Sequence, residues 1–178
     1  MAREHITARR ELVLGLDPSS TICGYAAMGL RREVVSVGWL KPACRQDSSF
    51  ERDMAMCDDL VTLLDELRPT TILIEWPKGK VHEGRNHGRG AGLAVYGTGV
   101  GVIARQAVVW AHSSGGCDVV PILDTVWTRG IPKLERQRAI ACEVPEYAPH
   151  MGLDVGGDMS DAIGLCLWWL AERSLLFS

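Results

Sequence analysis

The chain has 178 residues, 47 % of them apolar and 23 % charged, which suits one domain with its own core and excludes an extensively disordered protein. A net charge of −3 excludes a basic mean field, so any contact with nucleic acid must come from local patches. No apolar run reaches membrane-spanning length, and MAREHITARRE lacks the apolar core of a signal peptide. The six cysteines form no CxxC and no zinc-finger spacing with histidine, so a cytoplasmic, reducing setting without structural zinc is expected.

After a polar start (residues 1–10), the apolar run Leu12, Val13, Leu14, Leu16 predicts a buried strand over 11–17 that ends on Asp17, with the turn-prone PSST following. Strands over 22–30 and 33–40 come next, so the first three form an antiparallel meander. A carboxylate held at a strand end beside a tight turn is poised for a metal ion, although capping the turn is its plainer role. Met54, Cys57, Leu60, Val61, Leu64 and Leu67 recur at three and four, the pattern of an amphipathic helix over 50–67. Ser48 or Ser49 caps this helix, and Pro69 stops it.

TTILIE (70–75) is a short β-branched strand that also ends on a carboxylate, Glu75. The preceding helix makes the crossover that lets it run parallel to the first strand, and parallel strands end on the same edge, which makes Asp17 and Glu75 neighbours. Two adjacent carboxylates repel, and a shared proton or a divalent cation relieves them. The loop WPKGKVHEGRNHGRG (76–90) sets Lys78, Lys80, Arg85 and Arg89 against Glu83, a local charge of +3 that suits a polyanion beside the carboxylates or, more simply, a solvated face. His82 and His87 lack a third ligand and are not expected to bind metal.

Gly97, Gly99 and Gly101 lie in residues 91–112 without the strand and spacing of a dinucleotide fingerprint; a helix packed closely on the sheet or on a second subunit is expected. CDVVPIL (117–123) is a fifth strand, and a loop then leads to a helix from about Lys133, with Pro132 at its start. Arg129, Lys133, Arg136 and Arg138 against Glu135 make a second patch of +3. The last element, 157–174, is a helix whose first turn carries Asp158 and Asp161 on one face. Acidic residues favour a helix start for dipole reasons alone, yet Asp17, Glu75, Asp158 and Asp161 all stand at element ends, and one shared metal site accounts for that better than independent caps.

In LGLDPSSTICGYA, ILIEWP, GLAVYGTGVGVIARQA, WTRGIPKLERQ and GDMSDAIGLCL, in that order, the chain resembles the RuvC-type Holliday junction resolvases of the RNase H-like nuclease superfamily. The resemblance implies an α/β fold over 1–178: a five-stranded mixed sheet, strands 1–3 antiparallel and strands 4 and 5 parallel to strand 1, flanked by helices. It implies that Asp17, Glu75, Asp158 and Asp161 bind two Mg²⁺ ions per site, with Mn²⁺ able to substitute, and that Lys133 lies near the scissile phosphate. It further implies a homodimer cutting four-way DNA, with Lys78, Lys80, Arg85, Arg89, Arg129, Arg136 and Trp76 as candidate DNA contacts; Trp76 either stacks on a base or belongs to the core. Ser19 replaces the family's usual glycine, and the basic loop after Glu75 differs from the cellular enzymes; divergent relatives of this kind occur in phages. Alternatives are a nuclease acting on flaps, forks or RNA–DNA hybrids, a catalytically idle junction-binding protein, and an actin-like phosphotransferase, for which the chain is too short.

Overall fold

The computed structural model describes residues 11–42, 48–77, 89–154 and 156–176. Its frame is a five-stranded sheet of order β3-β2-β1-β4-β5, formed by β1 (Leu12–Pro18), β2 (Cys23–Gly29), β3 (Val34–Leu40), β4 (Thr71–Trp76) and β5 (Asp118–Leu123). The first three strands are antiparallel, and β4 pairs parallel with both β1 and β5, as expected. Every residue of β1 is buried, because a central strand covered on both faces needs apolar side chains on both.

Side-chain alternation divides the core in two. Leu12, Leu14, Leu16, Ile72 and Ile74 face α1 (Ser49–Leu67) and α2 (Arg89–Ser114), packing on Leu60, Leu64, Ile103 and Trp110. Val13 and Leu73 face the other way, onto Trp127 of the short α3 (Asp124–Thr128), Ile140 of α4 (Lys133–Glu143) and Ile163 of α5 (Asp158–Leu176). Asp17 and Glu75 share parity with Val13 and Leu73, so both carboxylates belong to the α5 side. The strand pattern alone settles this.

Ser48 caps α1 through a reciprocal pair with Glu51, and Arg68 ends the helix in the left-handed region. Met54, expected on the apolar stripe, is 46 % exposed, and Met56 packs inward instead. The stripe runs 53, 56, 57, 60, 63, 64, and Asp53 takes its first place. The segment expected as a loop before α4 begins with a helical turn, α3. Of the three alternating glycines in α2, only Gly99 meets another element; a Cβ there would lie 3.2 Å from the Ser19 carbonyl, whereas Gly97 and Gly101 meet nothing within 4 Å. No described helix is long and apolar enough to cross a membrane.

Two glycines let α5 lie directly on the sheet. A Cβ on Gly15 would come 2.4 Å from the Ala162 carbonyl oxygen, and one on Gly24 would come 2.1 Å from that of Asp158. Gly24→Ala is therefore expected to destabilise the protein by about 3 kcal/mol, the upper part of the overpacking range, because helix backbone and not a flexible side chain must move. Urea unfolding measures the change. A loss under about 0.5 kcal/mol would mean that α5 does not press on β2 as described.

Candidate metal centre

The carboxyl ends of β1 and β4 and the first turn of α5 meet at one point. One carboxylate oxygen from each of Asp17, Glu75 and Asp161 lies within 4.8 Å of the other two, and Asp17 and Asp161 are only 5 % and 3 % exposed. Asp158, expected as a fourth member, stands beside this triad. Its Oδ1 lies 3.7 Å from the Lys133 ammonium, and its backbone is the surface on which Gly24 packs.

Two cations from α4 enter the cluster. Lys133 Nζ lies 3.0 Å from Asp161 Oδ2. Arg136 donates through Nη2 to both oxygens of Asp161 (2.9 and 3.0 Å) and through Nε to Oδ1 (3.2 Å). Its guanidinium also lies 5.1 Å from the ring centre of Trp127, whose indole N–H donates to Glu75 Oε2 at 2.8 Å. Asp161 and Glu75 are thereby each held from behind.

Burial, then the charges of Glu75, Asp161 and Asp158, push the Asp17 carboxyl well above its usual range, and Lys133 only partly offsets this. Glu75 is pushed up to about 7, first by burial and then by Asp161, against the Trp127 hydrogen bond and Lys133. Asp158 is raised chiefly by burial. Burial opposes the charge on Lys133, but Asp161, Asp17 and Asp158 outweigh it and raise its pKa. This is an excess of negative charge in a nearly closed place. Three hard oxygen donors at such separations fit a divalent cation, which would remove the repulsion that otherwise favours protonation.

No protein-family model and no curated protein matches the sequence. Solved structures do. RuvC of Thermus thermophilus in complex with a Holliday junction substrate aligns over 92 % of this chain and 96 % of its own, with a TM-score of 0.60 at 17 % identity. A second Thermus thermophilus RuvC structure gives 0.62 over the same spans at 16 % identity. The yeast mitochondrial Holliday junction resolvase gives 0.59 over 90 % of this chain and 78 % of its own, at 16 % identity. The fold is that of the RuvC-type resolvases.

On this RuvC-type frame the expected DNA-contact residues separate. Lys78, Lys80 and Arg85, with His82 and His87, lie outside the described residues, as does the side chain of Arg89. Arg136, expected in a basic patch as a DNA contact, is turned inward, its side chain 15 % exposed, and Asp161 supplies it two acceptors. Arg129 is exposed and paired with Glu172 at 3.0 Å, fourteen residues and about 21 Å along α5 from Asp158. Trp76 belongs to neither core and borders a hollow of about 250 Å³ with Pro121 and Leu123.

Four residues of the centre escaped the sequence reading. Trp127 sits in a stretch without periodicity. Tyr96, in α2, has its phenol pushed up to about 12, by burial first and then by the charges of Asp17 and Glu75. Asp154 is 2 % exposed and accepts from Tyr147 Oη (2.9 Å), Met159 N (3.2 Å) and Ser160 N (2.9 Å), closing the first turn of α5, while Gln137 Nε2 donates to the Asp154 carbonyl. An aspartate shortly before a helix is a capping signal, and that would have found Asp154.

Proposed function

We propose that the chain is a divalent-metal-dependent endonuclease that resolves four-way DNA junctions, acting as a homodimer. Asp17, Glu75 and Asp161, with Asp158 beside them, hold two Mg²⁺ ions, for which Mn²⁺ substitutes. The observation that carries this reading is the convergence of carboxylates from β1, β4 and α5 on one point; the shared fold with enzymes described as Holliday junction resolvases supports four-way DNA as the substrate. The chemistry such ions supply is activation of a water and neutralisation of charge at the phosphorus.

The chain's own groups do the rest. Lys133 touches Asp158 and Asp161 from the start of α4, and its ammonium faces the phosphate oxygens when the strand enters. Arg136 and Trp127 fix Asp161 and Glu75 in orientation, as groups behind metal ligands commonly do. Asp154 sets the start of α5 and so the position of Asp158 and Asp161. The basic side chains of residues 78–89 meet the DNA backbone, and Trp76 stacks on a base at the branch.

The raised carboxyls make stability depend on pH and metal together. Folded values above the usual 3.8 and 4.5 mean that the native state holds protons which the unfolded chain has released, so metal-free stability falls as pH rises from about 4.5 through about 7. For Glu75 alone the loss is on the order of 3 kcal/mol. Melting in EDTA is expected to drop across this window, and Mg²⁺ is expected to raise the melting temperature at pH 7.5 and not at pH 5. Equal shifts at both values would contradict this.

Cleavage of a mobile synthetic four-way junction, with and without Mg²⁺, tests the reading. Paired, symmetric, Mg²⁺-dependent nicks support it. Faster cutting of flaps, forks or RNA–DNA hybrids would favour the broader nuclease, and tight salt-sensitive binding without cutting would favour an idle junction binder.

A further inference from the structure

Toward the β3 edge from the carboxylates lies a hollow of about 350 Å³, bounded by Ile22, Trp39, Lys41, Leu153, Asp154 and Gly156. Its volume is at the small end of the ~300–1,000 Å³ typical of ligand sites. It reaches to Asp158, the acid beside the triad, since a Cβ on Gly156 would sit 3.0 Å from Asp158 Oδ2. Trp39 supplies an aromatic wall whose ring meets His150 edge-on, with centroids 6.5 Å apart and planes at 80°. Ile22 and Leu153 add apolar surface, and Leu153 is 71 % exposed although loop leucines gain nothing from water. Lys41 is exposed and has no ion-pair partner among the described residues. The Asp154 carboxylate, already accepting three hydrogen bonds, is committed to α5.

A flat aromatic wall, apolar flanks and a cation at the mouth that has no ion-pair partner among the described residues match the parts of a nucleotide: a ring to stack, a sugar edge and a phosphate. We propose that the hollow is a nucleotide subsite, in which an unstacked base beside the cut packs on Trp39 between Ile22 and Leu153 while its phosphate meets Lys41. The inference rests on the nuclease reading for its supply of DNA. A branch point suits it, because a base there is already partly unstacked and is withdrawn more easily than from a continuous duplex. Stacking is tolerant of base identity, so the subsite positions the strand more than it reads sequence.

The test uses the full chain, Lys41→Ala and Leu153→Ser, two exposed positions whose variants keep the fold, and Trp39→Phe, which keeps a ring. The probes are four-way junctions that are intact or made abasic at each nucleotide flanking the cut. Lys41→Ala and Leu153→Ser are expected to raise KM about 5- to 100-fold with kcat changed less than about twofold, and Trp39→Phe to retain most of the binding. At one flanking position the abasic junction is expected to weaken the wild type as much as Leu153→Ser does, and the variant is expected to lose nothing further on it. Unchanged KM in the variants, or equal losses on intact and abasic junctions, would overturn the subsite while leaving cleavage by the wild type intact. If the wild type binds junctions without cutting, the nuclease reading fails, and the same comparison made on Kd still decides the subsite.

Discussion

Asp17→Asn is expected to lower Mg²⁺-dependent cleavage of a four-way junction at least about a thousand-fold while leaving the fold intact. The amide keeps the shape of a side chain that is 5 % exposed, so the strand and its neighbours stay in place. What disappears is a negative charge within 4.8 Å of an oxygen of both Glu75 and Asp161. A loss of about 4 kcal/mol at the transition state is the size expected when a metal site loses a central anionic ligand. The same substitution is expected to raise the melting temperature of the metal-free protein at pH 7.5, because it removes a buried carboxylate that burial and three acidic neighbours disfavour. Opposite signs for activity and metal-free stability separate a site residue from a structural one. Single-turnover cleavage and melting in EDTA measure the pair, and full residual cleavage would refute the assignment.

Asp154→Ala is expected to destabilise the protein by about 3–5 kcal/mol and to raise the Mg²⁺ concentration needed for half-maximal cleavage. The carboxylate satisfies the Tyr147 hydroxyl and two first-turn N–H groups of α5, all buried. Without it three donors lose their acceptor inside the core, and each costs about 1–3 kcal/mol unless water reaches it. Asp158 opens this turn and Asp161 follows within it, so the damage reaches the acidic cluster through the helix and not through charge. Urea unfolding and a metal titration at a temperature where the variant is folded measure both effects. Normal stability would show that α5 is held mainly by Gly15 and Gly24 against the sheet.

Much of this arrangement was legible beforehand because it depends on short periodicities. The run ending at Asp17 and TTILIE ending at Glu75 each placed a carboxylate at a strand end, and the helical crossover between them made the ends neighbours. In the structure, alternation along both strands puts the carboxylates on the α5 face. Side-chain pairing across long separations was not legible. Nothing in local pattern distinguishes Arg136, bound to Asp161, from Arg129, exposed on Glu172. Asp158 and Asp161 are alike as helix-start acids, and only the way α5 lies over the strand ends sets Asp161 within the triad and Asp158 beside it. Trp127 was missed for the same reason: its partner Glu75 is set by how α3 lies over the strand ends. Met54 shows a smaller limit, since a periodic stripe tolerates a shift by two residues when a buried polar group, Asp53, takes the end position.

The account stands on divalent cations being held among Asp17, Glu75 and Asp161. Anomalous scattering from crystals soaked in Mn²⁺ addresses this without reference to any substrate. Peaks that leave an oxygen of each of the three side chains about 2.0–2.3 Å from at least one ion are the result the account requires. An empty triad under saturating Mn²⁺, with Lys133 still seated on Asp161, would contradict it.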